Sequence, residues 1–272
     1  MERESDNLRG FLHSHPVFTG PEFASFLNSR GSSNPRTREA LLRYHRERGT
    51  ILQVRRGLYY SVPPGTKPEQ VPVDSYLVAA KLAPDAVLAY HTALEVHGRS
   101  YSVQDQLVYL TTKYPSGRTF KFKGTTYRAI NPPTKLGGEQ PGVESVDRAG
   151  QQVQVTSLER TVVDVLDRTR LSGGWEEVWR SLETIPYLDL EQVVKYALLL
   201  KNSTTVARVG FFLSQHREAL SVEDNLLERL RQHRPKNPKY LTNDEPRSGR
   251  LLPEWNLVVP EQVLKKKWDE LA

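Results

Sequence analysis

Apolar positions at Leu8, Phe11 and Leu12 share one face of a helix, and His15-Pro16 ends it. Thr19-Gly20-Pro21-Glu22 then forms a capping box, in which the threonine accepts from the backbone N–H of Glu22 and the glutamate reaches back. Phe23, Phe26 and Leu27 are the apolar stripe of this second helix. It stops near Arg30-Gly31, where glycine takes the left-handed cap at no steric cost. A third helix is predicted over Pro35–Arg48: Ser33-Asn34 offers the N-cap, proline suits the first helical position and Gly49 sits just past the end. At about 100° per residue, Thr37, Ala40, Leu41, Tyr44 and His45 cluster on the side predicted to face the core. Arg36, Arg43 and Arg46 fall opposite, with Glu39, Leu42 and Glu47 between or beside them and Arg38 at the edge of the buried side. After Gly49 the period becomes that of strands. Ile51–Val54 and Leu58–Val62, joined by Arg55-Arg56-Gly57, predict a hairpin that Pro63-Pro64-Gly65 closes.

A proline-rich, charged linker, Pro63–Pro72, separates this block from the rest. Asp74 caps a helix through Leu82, Val87–Ala89 is a short strand, and Tyr90–His97 is a helix ended by Gly98. Gln106–Thr111, Thr119–Phe122 and Thr126–Ile130 predict a small sheet, and Asn131–Gly142 a loop. Thr156-Ser157-Leu158-Glu159 predicts a second capping box, opening a helix to about Arg168. Helices follow at Trp175–Leu182, Leu190–Leu200, Val206–His216 and Val222–His233, and the polar tail ends in a strand at Trp255–Pro260. The fold class expected is α+β: an N-terminal winged helix-turn-helix (1–65), then a larger mixed α/β domain (72–272). That larger domain comprises a small sheet over 87–155, a mainly helical part over 156–234 and a tail over 235–272.

Charge changes this picture. Residues 30–56 hold eight arginines, no lysine and two glutamates, a surplus of six that equals the formal net charge of the whole chain, +6. A surplus confined to one short block implies an anionic partner. Arginine sharpens that, since its planar fork matches phosphate oxygens and guanine O6/N7 with paired hydrogen bonds. Three short helices and a basic hairpin suggest duplex DNA: the third helix enters the major groove and the hairpin tip reaches the backbone or minor groove. The expected DNA-contacting residues are Ser33, Asn34, Arg36, Thr37, Arg38, Arg43, Arg46, Arg55 and Arg56. Asn34, Arg36 and Thr37 are expected at base edges, Arg43 and Arg46 on phosphates, and Arg55 and Arg56 on the flanking backbone or minor groove.

The order SHPVFTGPEFASFL … RRGLYYSVPPG … SYLVAAKLAPDAVLAYHTALEVHG … VTSLERTVVDVLDR … WNLVVP resembles the AbiEi-type antitoxins of bacterial abortive-infection toxin–antitoxin pairs. The most telling segments are Val54-Arg55-Arg56-Gly57-Leu58-Tyr59, Ala89–Gly98, and Ser157-Leu158-Glu159-Arg160-Thr161 with Asp164. The resemblance implies a winged helix that represses its own operon and a larger domain that neutralises a nucleotidyltransferase-like toxin.

The chain has no cysteine, which removes disulfides, thiolate metal sites and cysteine nucleophiles. Its polar, acidic start carries no secretory signal and its longest apolar run is far too short to span a bilayer. A cytoplasmic protein with no membrane partner is therefore expected. No cofactor or metal is expected: His91 and His97 are six apart, on opposite helix faces rather than the i, i+4 spacing of zinc enzymes. Glu159 is assigned to capping, and Arg160 and Asp164 to a helix-surface ion pair. Trp175, Trp179 and Trp255 are candidates for an exposed, protein-facing surface, with core packing as the alternative reading. The enzymatic alternative is a winged helix fused to a DNA-processing nuclease. Many such sites place an acid two residues before a lysine, and none of the thirteen lysines here has one. No P-loop is present either, so catalysis is not expected.

Overall fold

The computed structural model describes residues 2–242 and 249–265 and shows a mixed α+β chain divided into two compact units. The first unit comprises residues 1–88, 105–130 and 145–154, the second 89–104, 131–144 and 155–272. The linker predicted over 63–72 thus lies inside the first unit.

The first unit opens with α1 (Glu2–Ser14), β1 (Val17–Thr19), α2 (Gly20–Asn28), α3 (Pro35–Glu47), β2 (Ile51–Arg55) and β3 (Leu58–Ser61). The strands form an antiparallel sheet ordered β1-β3-β2. β1 is an element that the hydrophobic pattern does not announce. The predicted capping box is present: Thr19 Oγ1 accepts from Glu22 N (3.3 Å) and the Glu22 carboxylate accepts from Thr19 N (2.7 Å). Gly31 takes φ +78° while Ser32 N–H returns to Leu27 O at 3.0 Å, which stops α2 as predicted. Phe11, Phe18, Phe23, Leu27, Leu42, Ile51 and Tyr59 make one core, with Phe11 edge-on to Phe18 and Phe18 stacked on Tyr59.

The same unit holds α4 (Ser75–Ala80), capped by Asp74, and a six-stranded mixed sheet. Its strands are β4 (Val87–Leu88), β5 (Gln106–Leu110), β6 (Thr119–Phe122), β7 (Thr125–Ile130), β8 (Val143–Arg148) and β9 (Gln151–Thr156), in spatial order β6-β7-β5-β4-β9-β8. Polar contacts tie the first 65 residues to this layer. Lys81 Nζ meets Glu22 Oε1 at 2.6 Å, Tyr60 Oη donates to Pro72 O at 2.9 Å, and buried Gln151 Nε2 donates to Val17 O at 3.0 Å.

The second unit contains α5 (His91–Val96), α6 (Leu158–Asp167), α7 (Trp175–Glu183), α8 (Leu190–Leu199), α9 (Ser203–Gln215), α10 (Asp224–Arg231) and α11 (Glu261–Lys265). A small sheet ordered β10-β12-β11 joins β10 (Lys239–Tyr240), β11 (Arg250–Leu252) and β12 (Leu257–Val259). The rest of the tail, 243–248 and 266–272, lies outside the described residues. The second N-cap sits one residue later than predicted. Ser157, not Thr156, accepts from Arg160 N at 3.3 Å, while Thr156 Oγ1 turns inward to Thr161 Oγ1 at 2.7 Å. Glu159 is consequently not a capping partner; it accepts from Asp189 N at 3.3 Å.

Candidate nucleic-acid interface

The face that α3 presents differs from the predicted one by a rotation about the helix axis. Leu42 is buried and Arg38, Leu41 and His45 are half-buried, an i, i+3, i+4, i+7 stripe. Thr37, Ala40 and Tyr44, predicted to face the core, are exposed, with Tyr44 46% accessible. The adjacent pair Leu41-Leu42 sets the buried arc; counting Tyr44 as apolar had swung it round. The outer surface therefore carries Arg36, Thr37, Ala40, Arg43, Tyr44 and Glu47, flanked by Arg46. Arg36, Arg43 and Arg46 are exposed as predicted.

Ser33 and Asn34 are exposed at the start of α3, and Asn34 Oδ1 accepts from Arg36 N at 2.9 Å. That bond commits the Asn34 carbonyl to the cap. His45 Nδ1 lies 2.8 Å from Thr50 Oγ1, and burial together with the Arg48 charge holds its pKa below the ordinary histidine value. Arg38 pairs with Glu39 at 3.3 Å, and Arg48 lies over the Tyr44 ring, 4.8 Å from its centroid. Arg36, Arg43, Arg46 and Arg56 have no acidic partner within ion-pair distance among the described residues.

The two arginines of the β2–β3 turn have different surroundings. Arg56 is exposed beside Gly57, whose φ of +78° lets the chain reverse and whose carbonyl accepts from Gly20 N at 2.8 Å. Arg55 turns back onto its own unit. Its Nη2 donates to Leu82 O and to Tyr114 Oη (3.2 Å), and its guanidinium sits over the Tyr114 ring. The structure thus brings Ser33, Asn34, Arg36, Thr37, Arg43 and Arg46 to one exposed helix, leaves Arg56 at the turn, and draws Arg38 and Arg55 into protein contacts. Tyr44 and Ala40 are the surface residues that the helical wheel missed.

Other candidate chemistry resolves into packing. No group of three or more His, Asp or Glu side chains placed to hold a metal occurs among the described residues. His91 is fully buried between two carboxylates, with Nε2 3.0 Å from Glu177 Oε1 and Nδ1 3.3 Å from Glu95 Oε1. Burial disfavours the imidazolium, but both carboxylates outweigh it and raise the His91 pKa. The Arg160–Asp164 pair exists at 3.1 Å but is buried, correcting the expectation of a surface pair. Trp175, Trp179 and Trp255 are buried as well, so they form no exposed surface.

No helix among the described residues is long and apolar enough to cross a membrane. No protein-family model matches the chain, and no curated protein is similar to it. A crystal structure of the RV2827C protein from Mycobacterium tuberculosis is similar in fold, with a TM-score of 0.56 over 94% of this chain and 90% of that one at 16% identity.

Proposed function

We propose that the chain is a DNA-binding transcriptional repressor that reads duplex DNA with α3 and the β2–β3 turn, and that it serves as the antitoxin of a bacterial toxin–antitoxin pair. The observation that carries the DNA reading is the outer face of α3, where Arg36, Arg43 and Arg46 stand exposed with no acidic partner among the described residues. Leaving several arginines unpaired on one face is electrostatically unfavourable until an anion arrives. The succession α1-β1-α2-α3-β2-β3, with the sheet ordered β1-β3-β2, supports a winged helix-turn-helix. In that arrangement Asn34, Arg36, Thr37 and Tyr44 meet base edges, Arg43 and Arg46 hold phosphates, and Arg56 is the wing cation. Arg38 and Arg55 hold the scaffold.

The antitoxin half rests on the sequence resemblance, which implies a nucleotidyltransferase-like toxin as partner. Nuclease footprinting upstream of the gene, with a reporter driven by the same DNA, tests repression; the expected result is a discrete protected site and a repressed reporter. Co-expression with a neighbouring nucleotidyltransferase-like gene tests neutralisation, and growth arrest unrelieved by this chain would remove the antitoxin claim alone. Cleavage of plasmid by the pure protein with divalent metal would overturn the non-enzymatic reading.

A further inference from the structure

A second run of the first unit repeats the charge asymmetry of α3. Residues 106–130 contain Lys113, Arg118, Lys121, Lys123 and Arg128 and no acidic residue. The segment is joined to the wing by one aromatic ring. Tyr114 receives the Arg55 guanidinium from the end of β2, 5.6 Å from its ring centroid, and Arg118 from its own loop at 4.6 Å. The residue after Arg55 is the wing cation Arg56, so Lys113, Tyr114 and Arg118 lie at the root of the wing.

This loop is held in shape. Gly117 N–H donates to Ala129 O at 2.8 Å with φ +90°, Ala129 N–H donates to Arg118 O at 2.8 Å, and Lys113 N–H donates to Thr111 Oγ1 at 3.1 Å. Asp85 is the nearby acid. It is occupied by Thr111 Oγ1 (2.5 Å), Thr112 N (2.9 Å) and Thr112 Oγ1 (2.6 Å), whose bonds hold its carboxyl below its ordinary pKa although burial pushes the other way. On β6, Lys121 is exposed between half-buried Phe120 and Phe122. The pairings Thr119↔Arg128 and Lys121↔Thr126 put Lys121 and Arg128 on one face of the β6–β7 pair. Lys123 is set apart, because its amine donates to the carbonyls of Pro68 (2.9 Å) and Glu69 (2.7 Å). Lys113, Arg118 and Lys121 remain exposed with no acidic partner among the described residues.

We infer that Lys113, Arg118 and Lys121 form a second contact with the duplex backbone, beyond the wing, and that Tyr114 positions it by clamping Arg55 and Arg118 on one ring. The inference rests on the DNA-binding reading above and extends its footprint. A loop fixed by its own hydrogen bonds presents its cations with little ordering cost on binding, and point charges without fixed base partners suit phosphates rather than base edges.

The test uses the full chain, with fluorescence anisotropy across salt on random-sequence duplexes of about one and about three helical turns. Each lost phosphate contact lowers the salt slope by about 0.9, so the Lys113→Gln/Arg118→Gln/Lys121→Gln variant should lose about 2.7 on the long duplex. Between about 50 and 200 mM salt that removes a factor of roughly 40 from the affinity ratio of wild type. The short duplex should show a smaller change, and thermal unfolding should match wild type because all three side chains are exposed. Tyr114→Leu should lower the slope on the long duplex by less than the triple variant does, while Tyr114→Phe, which keeps the ring, should restore it. If Arg43→Ala lowers the slope and the triple variant does not, the second contact is wrong and the α3 reading stands. An equal loss on both duplexes would also overturn it. If wild type shows no salt-dependent binding to either duplex, both readings fall together.

Discussion

Replacing Asp164 with alanine should be among the most destabilising single changes in the second unit. Asp164 Oδ2 accepts from Arg160 Nε at 3.1 Å, and its other oxygen accepts from Tyr196 Oη at 2.9 Å. Arg160 is 1% exposed and Asp164 2%. Arg160 Nη1 donates to Pro141 O at 2.8 Å, while Nη2 is buried with no hydrogen-bond partner among the described residues. An exposed i, i+4 pair contributes about 0.2–0.5 kcal/mol, whereas removing one partner of a buried pair costs about 3–5 kcal/mol by stranding the other charge. The Tyr196 hydroxyl also loses its acceptor, worth about 1–3 kcal/mol. The two losses share one network and do not add fully, so about 4–6 kcal/mol is expected. Burial raises the Asp164 pKa, with Arg160 and Tyr196 only partly offsetting it, so the pair as a whole is a weak stabiliser. Replacing both residues, Arg160→Met with Asp164→Leu, should therefore recover most of the loss. Urea unfolding followed by the fluorescence of buried Trp179 and Trp255 measures both variants. A loss below about 1 kcal/mol for Asp164→Ala would refute the reasoning, since that is the behaviour of a surface pair.

Three further outcomes are expected. The His91 pKa is raised above 6.5, so its stabilisation is fully present below the unfolded value and is lost as pH rises through the folded one. Glu177, opposite it, has a lowered pKa: burial opposes the shift, but bonds from His91 and Ser102 outweigh it, and its contribution is lost as pH falls below about 4.5. Stability against pH should thus decline on both sides, with His91→Gln flattening the alkaline side; an unchanged alkaline limb would contradict the assignment. Gly210→Ala should destabilise α9 although alanine favours helices by about 1 kcal/mol, because a Cβ there would lie 2.2 Å from Trp255 Cζ3. Adding Trp255→Phe should recover part of that loss in the same urea titration. Arg55→Ala should lower the melting temperature through the lost bonds to Leu82 O and Tyr114 without changing the DNA salt slope, whereas Arg56→Ala should do the reverse.

Local rules made much of the fold legible. The Thr19–Glu22 box, the Asn34 cap, the left-handed Gly31 and Gly49 and the Arg55–Leu58 hairpin turn are all decided within a few residues of chain. Partners distant in sequence were not legible. The Glu177 that completes the His91 site is 86 positions away, and nothing in the spacing joins them. β1 is three residues long and exists because β3 pairs with it, a tertiary cause without a local pattern. The rotation of α3 and the burial of the Arg160–Asp164 pair fail for one reason: a wheel orders faces relative to one another, and packing decides which one turns inward. Arg55 and Arg56 look alike in sequence, and only Leu82 and Tyr114 separate their roles.

The central claim is that the α3 arginines meet duplex DNA. It is tested most directly by measuring binding constants across salt on the DNA upstream of the gene for wild type, Arg36→Ala, Arg43→Ala and Arg46→Ala. Wild type should show a steep linear slope, Arg43→Ala and Arg46→Ala should each lower it by about 0.9, and Arg36→Ala should cost about 1–3 kcal/mol of discrimination between the upstream site and random sequence. Binding by all three variants indistinguishable from wild type, in slope and in discrimination, would contradict the account.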